Sequence, residues 1–254
     1  MRPVAFLFAA LLLLSVGCVQ YHYAPNAVQT PYIEKKGDGM VMAAVGGGPG
    51  TLNGDFQASY SPIKHGAVML NYFRTNTSFE NTNFFGGPTY QEISKGYLYE
   101  GAVGGYTPLA FGTGALYVGY GQGQMHNDYG IERIADLRLR RFFIQPTFTF
   151  KNDWLRLGMA LRLVRLHFPS GNIDYRIEPA DIDVIQRLER DSPFWFPELG
   201  GNLGIHFKPV TISANVVVIG ARPAAENGFD ISNMGLGISF ELQEMFKKNN
   251  RTKS

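Results

Sequence analysis

Apolar and polar residues alternate along most of this 254-residue chain, and that pattern limits its fold more than any other feature. In the clearest run, apolar side chains fill every odd position from Leu155 to Leu163, whereas Arg162 occupies an even one. A period of two is typical of a β-strand with two unlike faces. The sequence predicts ten strands, at about 39–46, 54–61, 66–74, 97–107, 114–124, 136–150, 154–167, 196–208, 210–220 and 231–245. In the sixth strand the phase slips at Arg140–Arg141, which indicates a bulge or a change of environment.

The composition is consistent with a sheet protein. The 30 glycines, 13% aromatic residues and 17% charged residues exclude both a long-helix protein and a disordered chain. A formal net charge of +2 produces no strong field, so no nucleic-acid partner is expected. The single cysteine excludes an internal disulfide framework and a multi-cysteine metal site. We therefore expect an all-β chain.

The connections between the predicted strands alternate in length. The short ones lie at 62–65, 108–113, 151–153 and Pro209, and the longer ones at 47–53, 75–96, 125–135, 168–195 and 221–230. In a closed up-and-down sheet this alternation places all short turns at one end and all long loops at the other. Ten strands, an even number, also bring both termini to the short-turn end.

Two features favour a membrane barrel over a soluble sandwich or a lipocalin-like barrel. Glycines crowd the polar face, where a narrow lumen has room only for small residues, at positions 104, 119, 121, 158, 200, 204, 235 and 237. Aromatic residues flank both ends of the strands, as at membrane interfaces. They are Tyr60, Tyr106, Phe150, Trp154 and Phe207 at the short-turn end, and Tyr72, Tyr97, Tyr120, Phe142, Phe168 and Trp195 at the other. A strand of about 11 residues tilted by ~40° spans about 28 Å, enough for the ~25 Å apolar band.

With segments such as GYLYEGAVGGY at 96–106, the chain from about 39 to 246 resembles the Gram-negative outer-membrane β-barrels of the small porin-like class. The resemblance implies an antiparallel up-and-down transmembrane barrel with short periplasmic turns and long extracellular loops, surrounded by outer-membrane lipid. Such barrels usually end on an aromatic residue, whereas here a basic polar tail, 247–254, follows Phe246.

The N-terminus predicts export. Arg2, the apolar run from Val4 to Leu14 and the small residues after it describe a signal peptide over 1–17. The segment Leu14-Ser15-Val16-Gly17-Cys18 resembles a lipobox, which implies that Cys18 is lipidated and becomes the mature N-terminus in the outer membrane. The alternative is ordinary signal cleavage beside an incidental cysteine. Residues 18–38, with two prolines and no periodicity, are predicted to form a periplasmic tether.

The alternation predicts which polar residues face the lumen. They are Glu100, Arg156, Arg162, Glu198, His206 and Glu241. One interpretation is a charged constriction that selects solutes. The other is a network of ion pairs that fills a barrel too narrow to conduct.

Chemistry at the outer rim is a weaker hypothesis. His126 lies near Asp128 and Asp136, the loop 168–195 carries several aspartates, and His167 lies close to Ser170. None of these sets has a diagnostic spacing, so no catalytic residue, cofactor or metal is predicted. Within 168–195 the residues Pro179, Ile182, Ile185 and Leu188 follow a helical spacing, which predicts a short helix that caps the mouth, moves as a lid or binds a partner.

The sequence thus favours a structural or surface-interaction role for an outer-membrane lipoprotein barrel, with partners bound through loops 75–96 and 168–195. A narrow diffusion channel is the first alternative. A soluble β-barrel lipoprotein that binds an apolar ligand inside is the second, and it requires the aliphatic face of each strand to point inward.

Overall fold

Ten antiparallel strands close into a barrel in which each strand pairs with its neighbours in the chain and β1 pairs with β10. The computed structural model describes residues 22–47, 51–81, 90–130, 133–174, 176–220 and 228–249. The strands are β1 (Gly39–Gly47), β2 (Thr51–Ile63), β3 (Gly66–Asn81), β4 (Tyr90–Leu109), β5 (Gly112–Asp128), β6 (Ile134–Lys151), β7 (Leu155–Ile173), β8 (Phe194–Phe207), β9 (Val210–Ile219) and β10 (Ser232–Glu241). The predicted all-β class, antiparallel order and strand number are confirmed.

Within the described residues two helices accompany the barrel: α1 (Pro179–Asp191) follows β7, and α2 (Leu242–Asn249) follows β10. The helix predicted within 168–195 is therefore confirmed. The last strand ends at Glu241 instead of continuing to 245, because the chain turns into α2 there. Among the described residues no helix has the length and apolar character needed to cross a membrane.

Connections 64–65, 110–111, 152–154 and 208–209 lie together at one end of the barrel, the short-turn end, where β1 begins and β10 ends. The opposite ends of the strands form the long-loop end, and the chain segments between them are 48–50, 82–89, 129–133, 174–193 and 220–231. The predicted loop 75–96 is wrong at both of its boundaries, since β3 continues to Asn81 and β4 begins at Tyr90. The predicted long loop 47–53 is also wrong, because β2 begins at Thr51.

Strand length divides the barrel into two unequal halves. The five neighbouring strands β3 to β7 have 16 to 20 residues, whereas the other five have 9 to 14. Tight turns align the strands at the short-turn end, so the extra residues project at the long-loop end. β7, for example, continues for seven residues past Leu166, the last partner of β8. At a rise of about 3.3 Å per residue this makes a projecting wall on one side of the barrel, formed by β3 to β7.

The outer and inner faces of the strands differ in polarity. Aliphatic side chains point outward, where Leu203 is 55% and Leu236 is 66% exposed. Polar side chains such as Gln57, Gln145 and Thr211 line the lumen and are almost fully buried. The sheet is thus apolar outside and polar inside.

On the projecting wall this polarity is reversed. The inner face of the upper part of β6 and β7 is apolar, with Leu137 and Leu166 fully buried, and Ile185 and Leu188 of α1 belong to the same hydrophobic core. The reversal explains the irregularity predicted at Arg140–Arg141, where the pairing of β6 with β7 also shifts register. The prediction is confirmed as a change of environment, whereas the bulge is not in β6: the extra residue lies on β7, where two residues, 168 and 169, oppose one.

The described part of the predicted tether, residues 22–38, is not a tether outside the barrel. Residues 22–33 are buried along their whole length, and they lie inside the lumen. We call residues 22–33 the plug. The predicted signal peptide, 1–17, Cys18 and the end of the predicted tail, 250–254, lie outside the described residues.

Candidate functional site: a lumen filled by an N-terminal plug

The plug runs through the barrel from one end to the other. At the long-loop end the backbone N–H of His22 donates to Gly228 O over 2.8 Å, and Tyr23 forms a parallel bridge with Phe229. At the short-turn end, Glu34 pairs with Lys151 at 3.2 Å. A tight turn follows, in which Asp38 Oδ2 accepts hydrogen bonds from the backbone of residues 34 and 35. The chain therefore descends the lumen before it reverses into β1.

Side chains of the barrel wall take the place of a neighbouring strand for the plug. An extended segment without a sheet partner leaves its backbone N–H and C=O groups unpaired, which is costly when they are buried. Gln57 Nε2 donates to Ala27 O over 2.9 Å, and Gln145 Nε2 donates to Gln29 O over 2.8 Å. Asn233 Nδ2 donates to the carbonyl of residue 25 over 3.1 Å. The polar lumen thus matches the hydrogen-bonding needs of this segment.

Two glycines of the wall make room for the plug. A Cβ atom at Gly158 would lie 2.2 Å from Thr30 Oγ1, and one at Gly200 would lie 2.6 Å from Val28 Cγ2. Both distances are shorter than any normal contact. The inward glycines at these two positions are therefore explained by the close approach of the plug.

Two arginines and two glutamates of the wall meet around the upper part of the plug. Arg141 Nε donates to Glu100 Oε1 over 2.7 Å, and Arg162 Nε donates to Glu198 Oε2 over 2.5 Å. Tyr23 of the plug donates to Glu198 Oε1 over 2.5 Å and accepts a hydrogen bond from Arg141. All of these groups are buried, and their formal charges cancel. We call these five residues, together with Asn26, the central cluster.

Asn26 of the plug completes the central cluster. Its Oδ1 accepts from Nη2 of Arg141 at 2.6 Å and from Nη2 of Arg162 at 2.8 Å, while its Nδ2 donates to Glu100 Oε2 at 2.6 Å. The Asn26 side chain is fully buried. Because unpaired donors on buried charges are costly, the wall residues depend on this plug residue for their hydrogen bonds.

A second set of charged groups, the basal cluster, lies at the short-turn end. Arg156 Nε donates to Glu241 Oε1 over 2.5 Å, and the His206 ring contacts Glu244 Oε2 at 3.1 Å and Thr211 Oγ1 at 2.9 Å. Glu244 belongs to α2, so this helix is tied to the lumen floor. The Arg156 guanidinium also lies 5.9 Å from the ring centre of Tyr32 in the segment that descends the lumen.

The structure places all six residues predicted to face the lumen inside the barrel, in two separate groups. Glu100, Arg162 and Glu198 belong to the central cluster, and the other three, Arg156, His206 and Glu241, belong to the basal one. Sequence reasoning missed Arg141, although its odd position continues the inward series of β6 through Gln145 and Thr147. It also missed Tyr23 and Asn26, because the plug has no strand period from which their direction could be predicted.

At the mouth of the lumen α1 packs onto the projecting wall. Pro179 occupies its first turn and Arg190 its last, as the geometry and dipole of a helix favour. Burial raises the pKa of the Asp181 carboxyl, and the neighbouring Glu178 and Glu92 raise it further. Ile185 and Leu188 are the buried anchors of the helix. The helix therefore acts as a cap over the mouth in this structure.

Of the rim residues considered for catalysis, the structure brings His126 and Asp136 together, but it does not add Asp128 to them and does not pair His167 with Ser170. His126 pairs with Asp136 at 2.8 Å on the outer wall, whereas Asp128 Oδ1 accepts from the backbone of Gly130 at 2.9 Å. His167 bonds to Ser192 Oγ at 2.8 Å and not to Ser170. In the described part of the chain no three His, Cys, Asp or Glu side chains form a group that could hold a metal ion.

No protein-family model matches the sequence, and no curated protein is significantly similar to it.

Proposed function

We propose that this chain is an integral outer-membrane β-barrel whose lumen is closed by its own N-terminal segment, and that it has a structural or surface-interaction role. The observation that carries this proposal is the occupied lumen. The plug satisfies the hydrogen bonds of the central cluster, and lumen side chains satisfy those of the plug. Short turns then face the periplasm, and the projecting wall with α1 faces outward from the cell.

The outer surface supports insertion in a membrane. Exposed aliphatic side chains encircle the barrel, from Leu70 on β3 through Leu161 and Leu203 to Leu236 on β10. A continuous apolar belt of this kind is unfavourable in water at about 25 cal/mol per Å². Exposed aromatic residues border the belt, with Trp154 and Phe207 at the short-turn end and Tyr97, Tyr120 and Trp195 towards the other. This arrangement is typical of the two membrane interfaces.

The same observations weigh against the two alternatives. A diffusion channel would require the plug to leave, and the buried arginines of the central cluster would then lose the Asn26 carbonyl as an acceptor. A soluble carrier of an apolar ligand would require the aliphatic face to point inward, whereas Leu203 and Leu236 are on the outside.

The path of the plug bears on the leaflet that the proposed lipid anchor would use. Cys18 is four positions before His22, and four extended residues span at most about 14 Å. His22 is bonded to Gly228 at the long-loop end, so we propose that a lipid on Cys18 would enter the membrane at that end. In the proposed orientation a lipid on Cys18 would enter the outer leaflet. A peptide tag inserted directly after Cys18 should then be reached by antibody on intact cells, and labelling with palmitate should be lost in Cys18→Ala.

Two measurements on the detergent-extracted outer-membrane fraction test the main proposal. On SDS gels the unboiled protein should run as a compact band that shifts on boiling, because a closed membrane barrel resists SDS. In planar bilayers the full-length protein should give no steady conductance. The absence of a band shift, with release from the membrane once the lipid is removed, would support the soluble alternative. Steady single-channel currents would support the channel.

A further inference from the structure

Charged residues on the outer wall are confined to one sector of the barrel. The outward positions of β8, β9, β10, β1 and β2 carry no charged side chain among the residues that the structure describes. On β3 to β7 such residues appear only towards the long-loop end. Five are basic, namely Arg74, Lys95, Arg138, Arg140 and Arg165, and all five are exposed. The two acidic ones whose side chains the structure describes are engaged, Asp136 with His126 and Asp128 with the backbone of Gly130.

Three of the arginines are close neighbours. Arg138 and Arg140 are two residues apart on β6 and therefore share its outer face about 7 Å apart. In the sheet register, Arg140 lies opposite His167 of β7. Arg165 is two residues before His167 on the same face, so it is the diagonal neighbour of Arg140, at about 7–8 Å. In the described part of the chain none of these three guanidinium groups has a carboxylate within 4.0 Å. Like charges grouped in this way repel each other unless an anion lies between them.

The group lies at the upper edge of the apolar belt. Along β6 from the short-turn end, the last outward residues below Arg140 are Ile144 and Phe142. Along β7 the outward residue below Arg165 is Leu163. Trp195 of β8 is the register partner of Arg165 and is 53% exposed. In a membrane, interfacial tryptophans lie at the level of the lipid headgroups. The three arginines are thus at the height of the lipid phosphates.

We infer that Arg138, Arg140 and Arg165 form a binding site for a lipid with an anionic phosphate headgroup in the outer leaflet. The guanidinium groups pair bidentately with phosphate oxygens, and the acyl chains lie along Leu163 and Ile144 below. This inference rests on the proposed membrane insertion. It does not depend on the plug.

Quenching of Trp195 fluorescence by brominated lipids tests it. The chain has two tryptophans, so Trp154→Phe leaves Trp195 as the only reporter. The full-length protein is reconstituted with phosphatidylglycerol or phosphatidylcholine that carry the same brominated chains. We expect phosphatidylglycerol to bind beside Trp195 at least about fivefold more tightly than phosphatidylcholine, since each basic residue at a membrane surface attracts anionic lipid. The triple variant R138Q/R140Q/R165Q should reduce this preference to about one.

The matched control removes three other positive charges, in K35Q/K64Q/K208Q at the short-turn end, and should keep the preference. A reporter at that end, Trp154 in a Trp195→Phe background, should show the same ratio with and without the arginines. Equal quenching by both lipids at Trp195 would refute the lipid site while leaving membrane insertion intact. Absence of quenching by either lipid at both tryptophans would refute the membrane proposal itself.

Discussion

At the scale of single residues, Asn26 links the plug to the wall. It offers one acceptor to two arginines and one donor to a glutamate, so it meets the needs of three buried ionised groups at once. An apolar side chain of equal size would fill the space. It would leave the two arginines with unpaired N–H donors and Glu100 without the hydrogen bond that it accepts from Asn26. The position therefore accepts an amide far better than a hydrocarbon.

We expect Asn26→Leu to destabilise the barrel by about 2–4 kcal/mol, because partners of a buried charge are lost. The temperature at which the compact unboiled band converts to the unfolded band should fall by roughly 5–15 °C. Asn76→Leu, on the exposed outer face of β3, is the control and should change it little. An unchanged conversion temperature in Asn26→Leu would show that the central cluster does not hold the plug.

The lumen residues were predictable from sequence to the extent that they lie on strands. The period of two was sufficient to direct Glu100, Arg162 and Glu241 inward, because alternation is a property of the extended backbone. It could not show which of them meet, since register and closure bring together residues far apart in the chain. Alternation could not predict Asn26 and Tyr23, because contacts with distant parts of the wall fix the direction of the plug and leave no local sequence pattern.

At the scale of elements, the plug and α1 cover two inner surfaces of the barrel that differ in polarity. The plug forms hydrogen bonds with the polar lumen, whereas α1 packs against the apolar inner face of the projecting wall. Sequence predicted α1 because its apolar residues recur at helical spacing. It missed the plug because a buried segment with two prolines and no period resembles a linker.

We expect Gly200→Leu to displace the plug, since even a Cβ at this position would lie 2.6 Å from Val28. In a Thr30→Cys background, the buried thiol should then react with a water-soluble maleimide in the folded, unboiled protein. Gly54→Leu is the matched control, because a Cβ there meets no atom within 4 Å. A thiol that stays unreactive in Gly200→Leu, in a barrel of unchanged stability, would contradict the close packing of plug and wall.

We expect Leu188→Ser to loosen α1 without opening the barrel. The helix is anchored by two fully buried side chains, and loss of one large apolar side chain costs about 2–5 kcal/mol locally. Limited proteolysis of the unboiled protein should cut within 174–193 at least tenfold faster, while the compact band keeps its conversion temperature. Arg187→Ser, on the exposed face, should leave the cleavage rate unchanged. Equal cleavage of both variants would show that α1 is not held by this contact.

At the scale of the whole molecule, the two halves of the barrel differ in strand length. The apolar belt runs round all ten strands and is the part that we propose lies in the membrane, whereas β3 to β7 continue beyond it and carry α1 and the exposed basic residues. The strand count and the existence of two ends were predictable from the alternating connections. The projecting wall was not, because its faces exchange polarity where the strands leave the belt, and so the outer parts of β3 and β4 resembled a loop.

The central claim is that the N-terminal segment occupies the lumen of the barrel in the membrane, and a disulfide between Val28→Cys and Gly200→Cys tests it most directly. A Cβ at Gly200 would lie 3.0 Å from Val28 Cβ, so a shift of under about 1 Å gives disulfide geometry. After mild oxidation of isolated outer membranes, the boiled, unreduced protein should run as a faster, internally looped band that dithiothreitol abolishes. Val28→Cys with Gly54→Cys, which faces the outside, should give no such band. Failure of the first pair to cross-link, with both thiols open to maleimide, would contradict the plugged barrel.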